Sequence, residues 1–132
     1  MTDHKAEISY LKEIFPTLGD VTWRDGSQAC RLMRVGDWWG KVTRRLQETG
    51  SHWRGEKQRI SDFEALAIVK QWFEYGVEKK WRDVYLGSVD GKHHIKCFNW
   101  KTVNGVSISH ENTSHRGAHR LEALYKAWKE VQ

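Results

Sequence analysis

The spacing of apolar positions divides the chain into two halves of different character. In the first, "KAEISYLKEIF" places Ile8, Leu11, Ile14 and Phe15 on one helical face, and Pro16 with the turn residues "TLGD" stops it. "VTWRDGSQACRLMRV" predicts a small hairpin around Asp25-Gly26. "GDWWGKVTRRLQETG" predicts a short helix, capped by Asp37 and followed by Gly50, with Trp38, Val42 and Leu46 in one stripe. "SHWRGEKQR" reads as a polar connector.

The second half is punctuated more sharply. "SDFE", Ser61 to Glu64, fits a capping box, in which a Ser hydroxyl and a Glu carboxylate satisfy helix N-terminal amides reciprocally. The helix it opens turns Leu66, Val69, Trp72 and Phe73 inward and is expected to end near Gly76. Three strand-like runs follow, "WRDVYLGSV", "KHHIKCFNWKTV" and "VSISHE". They are separated by Asp90-Gly91 and Asn104-Gly105, the dipeptides that most favour tight hairpins. A last helix, with Asn112, Thr113 and Ser114 as natural capping residues, should bury Ala118, Leu121, Leu124, Tyr125, Trp128 and Val131. The predicted class is α+β. A three-stranded antiparallel meander with flanking helices (αβββα) fills residues 61–132. An N-terminal helical part with a small hairpin fills 1–60, and the whole reads as one domain over 1–132.

Charge changes this picture by suggesting a partner. The net charge is +5 and the pI about 9.3, which favours nucleic acid or an acidic protein surface. The surplus is thinly spread, so position matters more than the total. His115, Arg116, His119 and Arg120 fall in the first turns of the predicted last helix, where the helix dipole is already positive. Cations there cost stability unless an anion faces them. Backbone amides and basic side chains at such a start can jointly hold phosphate oxygens.

With those residues in view, the second half resembles the double-stranded-RNA-binding domain. That family has an αβββα order and a Ser-Lys-Lys-x-Ala-Lys run opening its last helix. The matching run here is Ser114, His115, Arg116, Gly117, Ala118 and His119, with Arg120 next. The family also places a His before a Phe between its first two strands, and "GKHHIKCF" offers His93 or His94 before Phe98. The resemblance implies contacts to duplex RNA or DNA phosphates from these residues, with Lys96 beside them. Small phage proteins with an αβββα sandwich are similar in layout as well.

Eight tryptophans support a competing expectation. Trp38, Trp39 and Trp53, each beside charge, could anchor a phage-encoded inhibitor or adaptor on a host defence complex. Other chemistry finds less support. His115 and His119 have helical zinc-ligand spacing, yet no HExxH or paired CxxC accompanies them, so no metal and no cofactor is expected. No Gly-rich phosphate loop follows a strand, and the predicted protein is non-enzymatic. Cys30 and Cys97 belong to no CxxC pair and read as buried free thiols. The N-terminus is too polar for a signal peptide, and no apolar run approaches a membrane span. The expected location is the cytoplasm, a host's if the chain is phage-encoded.

Overall fold

The computed structural model describes residues 2–45, 57–89 and 91–132. Helix α1 (Thr2–Ile14) runs into a 3-10 turn at Phe15–Thr17, where Pro16 ends the α-helical ladder. Four antiparallel strands follow as one sheet in sequence order: β1 (Val21–Asp25), β2 (Gln28–Val35), β3 (Trp38–Arg45) and β4 (Gln58–Ile60). Then come helix α2 (Asp62–Lys80), a second antiparallel sheet of β5 (Asp83–Val89), β6 (Lys92–Val103) and β7 (Val106–Gly117), and helix α3 (Arg120–Glu130). The α2-to-α3 segment has the expected αβββα order, and the hairpin around Gly26 is present. Most of the connector read in "SHWRGEKQR" lies outside the described residues.

The helix expected in "GDWWGKVTRRLQETG" is instead strand β3. A spacing of four residues also holds a side chain on one strand face, because four is a multiple of two. Trp38 and Val42 therefore fit either element. Gly36, at φ +60°, supplies the tight turn out of β2, and Trp, Val and Thr then favour extended backbone paired with β2 along all eight residues of β3.

The start of the last helix also moves. Asn112, Thr113 and Ser114 do not cap it; they continue β7, opposite Phe98, Cys97 and Lys96 of β6. Twelve residues of β7 thus outlast the apolar run that marked the strand in sequence. The helix cap is His119, whose Nδ1 accepts the Glu122 N–H at 3.1 Å. Ala118, expected inside, is exposed ahead of the helix. Gly117 permits this sharp turn, since a Cβ there would lie 2.7 Å from the Ala123 backbone nitrogen.

Helix α2 opens as expected, with the Ser61 hydroxyl accepting from the Glu64 amide. It continues past Gly76 to Lys80, because Gly76 sits where the Trp128 indole crosses the helix. One cluster of buried side chains joins the two halves: Leu11 and Ile14 of α1, Val21, Leu32 and Trp39 of the first sheet, Phe73 and Val77 of α2, Ile95 and Cys97 of β6, and Leu121 and Leu124 of α3. Helix α3 packs on β6 and β7 and on α2, which also touches β1 and β3. Cys30 and Cys97 are both free and buried; burial pushes the Cys97 thiol up to about 11, with the Glu130 charge adding to it.

Candidate nucleic-acid interface

Strand β6 sorts its side chains by alternation. Ile95 and Cys97 are buried towards the helices, so Lys92, His94, Lys96, Phe98 and Trp100 take the opposite face. Cross-strand register brings further residues onto that face: Tyr85 opposite Lys96 and Asp83 opposite Phe98 on β5, and Arg116 opposite His94, Ser114 opposite Lys96 and Asn112 opposite Phe98 on β7. Lys96, Ser114 and Arg116 are exposed there, and Lys126 of α3 donates to the Arg116 carbonyl at 2.9 Å. Among the described residues, Lys92, Lys96 and Arg116 form no ion pair.

Three aromatic rings occupy the same face beside those cations. Phe98 and Trp100 stack with centroids 5.6 Å apart and planes 23° apart, and Tyr85 meets Phe98 edge-on at 5.6 Å. The Trp100 indole N–H donates to the Asp83 carboxylate, which fixes the ring's orientation. From sequence alone, Tyr85 and Trp100 have no role, and Phe98 serves only as the landmark after His93 or His94. The signal for Phe98 and Trp100 was the alternation in "KHHIKCFNW", which sets Lys92, His94 and Lys96 and those two rings on one strand face.

The predicted site residues separate accordingly. His94, Lys96 and Arg116 share the open face. His93 and His115 take the helix-facing side, opposite Gly117 and Ile95. His115 is bonded to Glu130 and lies 3.3 Å from the Thr113 hydroxyl. His119 is buried at the helix cap beneath Tyr10, and Arg120 is held by Glu74 at 2.8 Å. The zinc-like spacing of His115 and His119 loses its meaning, since one lies on a strand and the other at a cap. No three His, Cys, Asp or Glu side chains converge among the described residues. Cys97 and His94 point to opposite faces of β6, so they do not form a thiol–imidazole pair.

The anion in front of α3 is internal. Glu7 of α1 is 3% exposed, and its carboxylate accepts the Leu121 amide at 2.9 Å and the Lys70 ammonium at 2.8 Å. The helix start that suggested a phosphate site is thus satisfied by the protein's own carboxylate.

The tryptophan anchors fare differently from expectation too. Trp39 is 1% exposed, and its indole donates to Asp62 at 2.9 Å. Trp38 is half-buried over Gly40, and Trp53 lies outside the described residues. A cavity of about 940 Å³ lies between the first sheet and α2. Trp23, Trp72 and Tyr75 line it, together with Arg24, Arg44 and Lys79 and the carboxylates of Glu74 and Glu78, the former held by Arg120. No described helix is long and apolar enough to cross a membrane. Comparison with protein-family models, with curated proteins and with solved structures finds no match for this chain.

Proposed function

We propose that the protein is a non-enzymatic nucleic-acid-binding module whose interface is the open face of the β5–β6–β7 sheet. The observation that carries this reading is that Lys92, Lys96 and Arg116 share one sheet face beside His94, are exposed, and pair with no carboxylate among the described residues. Ser114 and Asn112 stand between them as hydrogen-bond donors of the kind that hold phosphate oxygens. Of the contacts expected at the helix start this set keeps Arg116, while Arg120 is held by Glu74, His115 is bonded to Glu130 and His119 caps the helix.

The test is fluorescence anisotropy of labelled oligonucleotides across a salt series. Lys96→Glu and Arg116→Glu should each weaken binding about tenfold at low salt, and each lost phosphate contact should lower the salt slope by about 0.7 to 0.9. Both positions are exposed, so stability should change by no more than about 0.5 kcal/mol. Arg120→Glu, by contrast, should act on stability through Glu74 and leave the salt slope alone. Wild-type protein that binds neither single strands nor duplex at low salt refutes the reading.

A further inference from the structure

We infer that the nucleic acid on this face is single-stranded, with unpaired bases stacked on Tyr85, Phe98 and Trp100. The inference rests on the backbone-binding reading above and specifies its ligand.

Aromatic residues on a sheet are ordinarily explained by burial or by cross-strand pairing. Burial accounts for these only in part: Phe98 and Trp100 are half-buried, Tyr85 is 55% exposed, and the neighbouring Lys96 and Ser114 are exposed. The other outward positions of β6 and β7 are Thr102, Ser107, Ser109, Asn112 and Ser114, all polar. The rings are therefore gathered in one place rather than scattered, and that place adjoins the cations. Phe98 and Trp100 present nearly parallel planes, and Asp83 locks the indole. A ring held before binding loses little freedom on binding.

A duplex cannot use such a platform, because its bases already stack on each other and show only their edges. An unpaired base can, and every base has a π-face, so stacking is tolerant of sequence. The layout along β6 gives the ligand a direction. Rings lie at the Trp100 end and cations at the Lys92 end, eight residues or about 26 Å away at 3.3 Å per residue. A single strand of several nucleotides following β6 places bases on Phe98 and Trp100 and phosphates over Lys96, Arg116 and Lys92.

The experiment compares labelled oligo-dT, oligo-U and a blunt duplex of equal length, by anisotropy at one low salt concentration. Both single strands should bind at least about tenfold more tightly than the duplex, since stacking addresses the base and not the sugar. Tyr85→Ala and Phe98→Ala should each lose about tenfold on single strands, leave duplex binding unchanged and leave the salt slope unchanged, because a ring releases no counterions. Tyr85→Phe, which keeps the ring, should stay within about twofold of wild type. Tyr85 is exposed enough that its truncation keeps the fold, so a null result there is interpretable. Duplex binding as tight as single-strand binding, or ring truncation without loss, overturns this inference and leaves the backbone reading standing. Failure of every oligonucleotide to bind overturns both.

Discussion

Replacing Glu7 tests how the three helices are held together. Its carboxylate is 3% exposed and meets a cation from α2, Lys70, and a backbone amide of α3, that of Leu121. The Lys70 side chain is itself only 19% exposed. Glu7→Ala therefore removes a charge-assisted pair, orphans an N-terminal helix amide and leaves an ammonium mostly buried. Breaking one side of a buried pair typically costs 3–5 kcal/mol. The Lys70 stem can swing its head outward, which places the expected loss near the lower end, about 3 kcal/mol. Glu7→Gln keeps an acceptor for the Leu121 amide but not the charge, and should cost about 1–2 kcal/mol. At this chain length about 3 kcal/mol lowers Tm by roughly 10 °C. Urea unfolding followed by tryptophan fluorescence measures all of these, and a cycle with Lys70→Met isolates the pair, with a coupling of about 1–3 kcal/mol expected. A Glu7→Ala loss below about 1 kcal/mol would falsify the bridging role. The neighbouring His4, 3.8 Å away and 55% exposed, contributes little, and His4→Ala should be close to neutral.

Two further outcomes follow from the core. Burial first, and the Glu122 charge second, push the Tyr10 hydroxyl from the usual 10.0 up to about 12. The folded protein thus keeps a proton that the unfolded chain releases, so this contribution to stability is complete below about pH 10 and drains away towards pH 12. Tyr10→Phe should flatten the fall of the urea midpoint across that window, and an unchanged fall would count against the assignment. Gly76→Ala would gain about 1 kcal/mol in an open helix. Here the new Cβ would lie 2.7 Å from Trp128 Cδ1, in a cluster where Trp128 packs on Trp72 and Phe73, and a net loss of about 1–2 kcal/mol is expected. A higher urea midpoint for this variant would show that the indole yields.

What could be read from sequence was whatever short-range chemistry specifies. Asn104 and Gly105 carry positive φ values of 51° and 80°, the backbone an Asn-Gly hairpin demands, and Ser61 caps α2 through a bond three residues long. Three features lay beyond that range. Trp38 and Val42 satisfied helix and strand periods equally, and only pairing with β2 decides between them. Asn112 to Ser114 are good caps in isolation, yet their pairing with β6 uses them as strand. Glu7 reaches α3 across 114 residues of sequence, a contact no local pattern announces. The candidate face falls between these cases. Its cations and rings follow a two-residue alternation visible in "KHHIKCFNW", but their neighbours Arg116 and Tyr85 join only through register.

The disposition of charge separates stability from binding in this molecule. Where the helices meet, cations are answered, Lys70 by Glu7 and Arg120 by Glu74, and within α3 Lys126 is answered by Glu122. On the open face of the second sheet, Lys92, Lys96 and Arg116 have no such partner among the described residues. Arg116 lies diagonal to both Lys92 and Lys96, about 8 Å from each at a strand spacing of about 4.8 Å and a rise of about 3.3 Å per residue, close to one Debye length at physiological ionic strength, while Lys92 and Lys96 are about 13 Å apart. Like charges at that spacing on a sheet oppose folding slightly. A polyanion reverses the sign of that cost, and its binding energy adds to the stability of the folded state by mass action. The proposed interface therefore makes a thermodynamic demand on the whole chain: charge reversal at Lys96 should raise Tm of the unliganded protein slightly while shrinking the rise in Tm that oligonucleotide produces, by the equivalent of about 1.4 kcal/mol for a tenfold weaker affinity. A Lys96→Glu variant that loses stability and still gains the full rise would place the ligand elsewhere.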